Sequence, residues 1–262
     1  MQMKMKMKMQ KKANPRAEAA RRRFDALLLD LDGTLLQLDL LRFIPAYMEA
    51  LAAYFSPRLP REKFTAHLFA AIKAMLESDD PGRTNEAVFY EEFCRRLEVE
   101  RREIDPLIER FYREEFPRLR SWGAPRPHAR EVLEAARRRG LKLVLATQPV
   151  FPRSAVVERL SWGGISAASF DLITTIENMH YCKPRPEYYA QITQMIAVPP
   201  ERCLMAGNDT VEDMSAARVG MATFLVEGEI IDRGEAALPP HYRGTLAELA
   251  ALIEEDFNPA SS

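Results

Sequence analysis

The pattern of hydrophobic and polar positions divides the chain into two parts that are organised differently. Between Leu40 and Pro117, apolar residues recur at helical spacing in four successive segments with short connections. From Pro125 onward, short apolar runs of strand length alternate with helical segments. The first pattern predicts a small bundle of four amphipathic helices. The second predicts an α/β fold, in which helices cover a parallel sheet on both faces.

The α/β pattern starts before the helical insertion, with an apolar run at 27–29, and continues after it. Further strands are predicted at 141–146, 170–176, 202–206 and 222–226, and helices at 128–139, 152–160, 186–196, 213–219 and 245–257. More than a hundred residues separate the first two strands, far more than a crossover needs, so a folded unit must lie between them. We therefore predict a doubly wound, Rossmann-like core at 24–38 and 122–262, with a helical domain inserted at 39–121.

Two acids follow the first strand directly. Asp30 and Asp32 lie one residue apart and are followed by the turn residues Gly33 and Thr34. Strand alternation points the two acids to the same side. Open α/β sheets bind ligands at the carboxyl ends of their strands, and right-handed crossovers bring those ends to one edge. Two neighbouring carboxylates raise each other's pKa unless they share a cation. A functional site with a cation is therefore favoured over an ordinary Asp-Gly turn.

The stretch Asp30-Leu31-Asp32-Gly33-Thr34 resembles the nucleophile motif, Asp-x-Asp-x-Thr, of the haloacid dehalogenase-like (HAD) hydrolase superfamily. The resemblance implies that Asp30 is a nucleophile and Asp32 a general acid and base. One large subclass of this superfamily carries a helical cap domain between its first and second motifs. The predicted insertion at 39–121 has the position and helical content of such a cap.

Two further motifs of the superfamily follow in the expected order. Thr147 comes directly after the strand predicted at 141–146 and resembles the second motif, a hydroxyl that donates to a phosphoryl oxygen. Gln148 stands where the family usually has asparagine. Lys183 precedes Pro-x-Pro just before a predicted helix and resembles the third motif, whose ammonium group neutralises the nucleophile and the phosphoryl group. The resemblance makes Thr147, Gln148 and Lys183 candidate substrate-binding residues. The alternatives are a turn threonine and a solvated loop lysine.

The fourth motif is a pair of acids at a predicted junction of strand and helix. Asp209 takes the position of the family's metal ligand, and Asp213 is the second acid. The resemblance implies that Asp30, Asp209 and the backbone carbonyl of Asp32 hold Mg²⁺, which binds hard oxygen ligands and keeps several waters. Asp213 is predicted either to hold Lys183 or to act only on the helix dipole. Glu212, between the two acids, is predicted to face solvent or to lie behind the ligands.

The resemblance implies a Mg²⁺-dependent phosphatase that acts on a small phosphorylated metabolite through an aspartyl-phosphate. Asp32 argues against dehalogenation, because dehalogenases of this superfamily lack the second acid and need no metal. A phosphomutase of the same superfamily remains an alternative, and so does a protein that binds phosphometabolites without catalysis. The sequence does not identify the substrate, because candidate cap residues such as Arg42, Tyr47 and His67 could face either the site or solvent.

Composition changes this picture little. A formal net charge of −1 steers the protein neither to nucleic acid nor to a membrane surface, so we expect neither partner. No apolar run approaches the ~20 residues of a membrane helix. Cys94, Cys182 and Cys203 lack the spacing of a metal site or a disulfide framework, which favours a cytoplasmic protein. Residues 1–23 are basic and low in complexity, and we expect them to be disordered. The oligomeric state stays open.

Overall fold

The computed structural model describes residues 24–57, 60–234 and 238–255, so the predicted tail at 1–23 lies outside the described residues. Strands in these ranges are β1 (Ala26–Leu29), β2 (Leu36–Gln37), β3 (Ala124–Pro125), β4 (Lys142–Leu145), β5 (Leu172–Ile173), β6 (Cys203–Gly207), β7 (Ala222–Val226) and β8 (Tyr242–Gly244). Within the described part, β1 and β4 to β8 form one parallel sheet in the order β5-β4-β1-β6-β7-β8. The predicted α/β fold class is confirmed.

The order of the strands reverses beside β1. From β1 the chain passes to β4 and β5 on one side, then crosses to β6, β7 and β8 on the other side. Leu29, the last residue of β1, pairs with Leu145 of β4 and Ala206 of β6, so the three strands end close together. A reversal of this kind opens a crevice at the carboxyl ends of the strands, where doubly wound sheets bind ligands. Asp30 follows β1 at this crevice.

The α-helices of the described ranges comprise those of the insertion and others that alternate with strands β3 to β6 or follow β8. They are α1 (Leu40–Phe55), α2 (Arg61–Glu77), α3 (Asn85–Leu97), α4 (Arg101–Glu114), α5 (Ala129–Arg138), α6 (Arg153–Trp162), α7 (Pro186–Ile196) and α8 (Leu246–Glu255). The predicted helical insertion is confirmed by α1 to α4, while its bounds at 39 and 121 stay a prediction. Within the described ranges, no helix has the length and apolarity needed to cross a membrane.

Local signals explain several helix boundaries. The Asp39 side chain caps α1 by accepting from the Leu41 N–H at 3.0 Å. Thr84 caps α3 in the same way, accepting from the Ala87 N–H at 3.2 Å. The last helix begins with a capping box, since Glu248 accepts from the Thr245 N–H at 2.7 Å and the Thr245 hydroxyl accepts from the Glu248 N–H at 3.3 Å. These caps satisfy N–H groups that have no partner inside the helix.

The central strand is buried on both faces, which explains its continuous apolar run. Leu27 and Leu29 pack into the larger hydrophobic core, which also contains the aromatic residues of the insertion. Ala26 and Leu28 point to the other face and pack into a second core around Tyr188 of α7. The sheet therefore separates two cores, and the charged residues that follow β1 lie at its edge.

Three details differ from the predicted elements. Residues 213–219 were predicted to form an α-helix, but Met214–Val219 is a 3₁₀-helix. One reason is that the Ser215 hydroxyl donates to the Glu212 carbonyl at 2.8 Å and so competes with the first helical turn. The strand predicted at 170–176 shrinks to Leu172–Ile173. The pattern also missed β8 and the antiparallel pair of β2 with β3, because elements of two or three residues carry too little periodicity.

Candidate active site

Asp30 and Asp32 lie at the carboxyl end of β1, and each is 8% exposed. A tight turn follows, in which Gly33 has a φ of +82° that favours glycine. A Cβ at Gly33 would lie 2.2 Å from Nδ2 of Asn208, so the turn also needs glycine for space. The Thr34 hydroxyl donates to Oδ1 of Asn208 at 3.1 Å. Asn208, which the sequence did not single out, therefore fixes the turn from the end of β6.

Lys183 connects the first motif to the fourth. Its buried Nζ donates to Oδ1 of Asp30 at 2.8 Å and to Oδ1 of Asp213 at 2.6 Å. The loop around Lys183 is held by Gln148, whose Oε1 accepts from the Lys183 N–H at 3.0 Å. Nε2 of Gln148 donates to the Lys183 carbonyl at 3.1 Å. Gln148 was predicted to contact substrate. In the structure, both ends of its amide form hydrogen bonds with the backbone of Lys183.

The lysine and its two carboxylates are buried together, so desolvation and ion pairing oppose each other. Burial raises the pKa of Asp30, and the neighbouring Lys183 opposes that shift. Burial likewise raises the pKa of Asp213 to about 6. Burial alone would lower the pKa of Lys183, but Asp213 and Asp30 outweigh it and raise the pKa well above its ordinary value. Lys183 is therefore a permanent cation behind the nucleophile candidate.

Asp209 is fixed at the turn after β6. Its Oδ1 accepts from the N–H groups of Val211 and Glu212, both at 2.8 Å. Its Oδ2 accepts from Nε of Arg233 at 3.0 Å, and the same guanidinium donates to Glu212 at 2.9 Å. Burial raises the pKa of Glu212 to about 7. Glu212 thus lies beside the cavity in an ion pair with Arg233. Arg233 follows β7, and the sequence did not single it out.

Asp32 has a buried partner that the sequence analysis also missed. Arg159 of α6 is fully buried and donates through Nη1 to Oδ2 of Asp32. Its guanidinium lies 4.2 Å from the centre of the Phe151 ring. Burial raises the pKa of Asp32, while Arg159 and Lys183 lower it. The sequence does hold a signal that Arg159 is buried. Arg159 follows the buried Val156 by three residues and so lies on the apolar stripe of its helix.

One cavity of about 160 Å³ collects most of the predicted site residues. Its lining includes six of the seven, namely Asp30, Asp32, Thr147, Gln148, Asp209 and Asp213. Lys183, the seventh, reaches the site through its contact with Asp30. Thr147 is buried at the end of β4, where its carbonyl accepts from the Tyr188 hydroxyl at 2.8 Å. Residues that are distant in sequence therefore meet at the predicted edge of the sheet.

The donor set of this cavity fits Mg²⁺. The carboxylates of Asp30 and Asp209 line the same space, and Mg²⁺ needs only one or two protein carboxylates because it keeps several waters. No group of three His, Cys, Asp or Glu side chains forms a ready-made metal cluster among the residues that the structure describes. Arg233 already forms an ion pair with Asp209, so a positively charged ligand can reach the Asp209 carboxylate.

Comparison with protein families decides where the chain belongs. The family described as haloacid dehalogenase-like hydrolase matches residues 24–220, which include all seven site residues. The chain belongs to this family. The resemblance to HAD hydrolases is confirmed, and the chain is an enzyme of the hydrolase class. The match also spans β1, the helical insertion and β4 to β6.

Individual relatives of this HAD hydrolase are distant. The pyrophosphatase PpaX of Bacillus mycoides is 21% identical over 233 residues, which cover 88% of this chain and 97% of the relative. The crystal structure of a HAD phosphatase from Thermococcus onnurineus matches with a TM-score of 0.55 at 21% identity, over 88% of this chain and 98% of that one. The L-2-haloacid dehalogenase of Xanthobacter autotrophicus matches with a TM-score of 0.53 at 16% identity, over 88% and 98%. At these identities the structural matches show a shared fold.

Proposed function

We propose that this HAD hydrolase is a Mg²⁺-dependent phosphatase, which hydrolyses a small phosphorylated metabolite through an aspartyl-phosphate. The observation that carries the proposal is the position of Asp30. Its carboxylate lies at the reversal of the strand order, 2.8 Å from the buried Lys183 ammonium and in one cavity with Asp32 and Asp209. A nucleophile, a second acid, a fixed cation and a further carboxylate are the groups that phosphoryl transfer to an aspartate requires.

The reaction divides into two displacements at phosphorus. In the first, a carboxylate oxygen of Asp30 forms a bond to phosphorus as the ester oxygen leaves, and Asp32 gives its proton to that oxygen. In the second, water attacks phosphorus, its proton passes to Asp32, and the bond between Asp30 and phosphorus breaks. Asp32 thus returns to its starting state after one cycle. Water enters only in the second displacement, and the two steps together consume nothing besides the ester and one water.

Several groups would hold the phosphoryl oxygens during these steps. The Thr147 hydroxyl at the end of β4 can donate to one of them. The Lys183 ammonium supplies fixed positive charge behind Asp30. Asp30, Asp209 and the Asp32 carbonyl would hold Mg²⁺, which when bound would offset the negative charge of the phosphoryl group. Asp213 keeps Lys183 in place through its contact at 2.6 Å.

The helical insertion at 39–121 is proposed to act as the cap. Leu40 and Ile44 of α1 line the cavity, so the insertion already contributes to its wall. The chain enters the insertion after β2 and leaves it before β3, and these two short strands pair antiparallel. Such a two-stranded connection can change its angle while the sheet stays fixed. Closure of the cap would exclude bulk water and select the substrate.

The small cavity favours a small substrate, and pyrophosphate belongs in the first screen because the Bacillus mycoides relative is called a pyrophosphatase. Dehalogenation is disfavoured because Asp32 occupies the site. A phosphomutase remains the second candidate, since it would share Asp30, Asp32, Lys183 and Asp209. A cytoplasmic location is proposed because Cys94, Cys182 and Cys203, all in the described ranges, are free thiols.

The test is hydrolysis of 4-nitrophenyl phosphate and of pyrophosphate, each with Mg²⁺ and with a chelator. We expect turnover by the wild type with Mg²⁺, and loss of it in Asp30→Asn or after chelation. Asp79→Asn is the matched control, because it makes the same chemical change at an exposed position. Turnover that survives Asp30→Asn or chelation would refute the aspartyl-phosphate mechanism with Mg²⁺. Wild-type protein that binds phosphate compounds without hydrolysing either one would favour the binding protein.

A further inference from the structure

Arg159 is an unusual residue in this fold because its guanidinium is completely buried. It lies on α6, a helix whose other buried residues are mostly apolar, and has 0% exposure. A guanidinium stays protonated at any working pH, so burial forces it to keep a counterion. That counterion is Asp32, whose Oδ2 accepts from Nη1 of Arg159. The two residues are 127 positions apart in sequence.

Stability alone does not explain this ion pair. Among the residues that the structure describes, Nε and Nη2 of Arg159 have no hydrogen-bond partner. Each buried donor without a partner costs about 1–3 kcal/mol. Apolar replacements of buried ion pairs are often neutral or stabilising. The arrangement therefore carries a cost that an apolar residue on α6 would avoid, which favours a role in the site.

The contacts of Asp32 indicate what that role is. Its Oδ2 is held by Arg159, whereas its Oδ1 has no hydrogen-bond partner within the described ranges. Asp32 also lines the cavity that contains Asp30. One carboxylate oxygen is thus anchored, and the other stays available for a proton. The ring of Phe151 lies on the guanidinium, and Tyr47 of α1 packs against that ring at a tilt of 58° with 5.3 Å between ring centres, so packing from the insertion restrains Arg159.

We propose that Arg159 is a positioning residue that anchors Asp32 so that its free oxygen can exchange a proton with the leaving group. This role rests on the proposed phosphatase function. A side chain that anchors a general acid acts only where the leaving group needs a proton. Its loss should therefore harm substrates with basic leaving groups more than substrates with acidic ones.

The experiment compares two aryl phosphates of nearly the same shape, phenyl phosphate and 4-nitrophenyl phosphate. Phenolate is a much stronger base than 4-nitrophenolate and depends more on a proton donor. For Arg159→Met we expect kcat/KM for phenyl phosphate to fall at least about tenfold more than kcat/KM for 4-nitrophenyl phosphate. Asp32→Asn should give the same bias. The double variant should show no further bias, because Arg159 acts through Asp32.

Two further variants separate positioning from general damage. Leu160→Ala removes a fully buried neighbour on the same helix and should lower the melting temperature without changing the ratio of the two substrates. Arg159→Lys keeps the charge on a side chain of different length, so it should change the ratio of the two substrates less than Arg159→Met does. Arg159→Lys also tests the proposal if Arg159→Met fails to fold. Equal losses on both substrates in Arg159→Met and Arg159→Lys would overturn the proposal. Absence of turnover in the wild type would instead refute the phosphatase function and remove this role with it.

Discussion

Lys183→Met tests whether the buried lysine is needed to keep two carboxylates in the site. Nζ of Lys183 lies 2.8 Å from Asp30 and 2.6 Å from Asp213, and all three side chains are buried. Methionine keeps most of the apolar stem, so the main loss is charge. Removing one partner of a buried ion pair costs about 3–5 kcal/mol, and here two carboxylates lose their cation. We expect a loss of free energy of unfolding at the upper end of that range at neutral pH.

The loss should also depend on pH. Without the lysine, the folded-state pKa of both carboxylates rises further above the unfolded value, so the folded state binds protons more readily. Such groups stabilise the fold at low pH, and this contribution disappears as pH rises through the folded-state pKa. The deficit of Lys183→Met should therefore be smaller near pH 5 than near pH 7.

Urea denaturation in the presence of a chelator measures this at both pH values. Lys73→Met is the matched control, because Lys73 pairs with Glu77 at 3.8 Å on the surface and should change the midpoint little. Asp213→Asn added to Lys183→Met should restore part of the lost stability by removing one uncompensated charge. A Lys183→Met variant that is as stable as the wild type at neutral pH, or whose deficit is unchanged at the lower pH, would show that the lysine does not stabilise the two carboxylates.

Further predictions concern the turn and the acidic side of the cavity. Gly33→Ala should lower the free energy of unfolding by about 1–3 kcal/mol in urea titrations, because of its positive φ and the 2.2 Å approach to Asn208; a smaller loss would contradict the crowding. In the presence of a chelator, the stability of the wild type should fall as pH rises through about 7, because burial raises the pKa of Glu212 in the folded state. Glu212→Gln should flatten this pH dependence of stability in melting scans. Arg233→Met should lower the Mg²⁺ concentration that gives half-maximal activity, because Arg233 competes for Asp209; an unchanged or higher value would count against Asp209 as a ligand.

Much of the fold could be predicted because its signals are local. The apolar run before Asp30, the helical spacing from Leu40 and the alternation after Pro125 each lie within one segment of the chain. The strand at Ala222–Val226 and the helix at Pro186–Ile196 have the predicted bounds. Errors arose in short elements, such as the 3₁₀-helix at Met214–Val219, where hydrogen bonds from single side chains outweigh periodicity.

The candidate site was predictable in part for the same reason. Acids, a hydroxyl and a lysine at strand ends can be read from the chain, and the parallel sheet then brings them to one edge. Gln148 was assigned to substrate because its position next to Thr147 resembles a family motif. Its amide also holds the Lys183 backbone, a contact between residues 35 positions apart that no local pattern encodes.

The fold class, the helical insertion and the set of chemical groups at the strand ends could be read from the sequence, because secondary structure and motif spacing are properties of contiguous residues. The pairing of those groups depends on tertiary packing. Arg159 reaches Asp32 across 127 positions and Lys183 reaches Asp30 across 153. A buried charge needs a counterion at contact distance, and the choice of counterion depends on which side chains packing brings together. Periodicity along the chain holds no information about that choice.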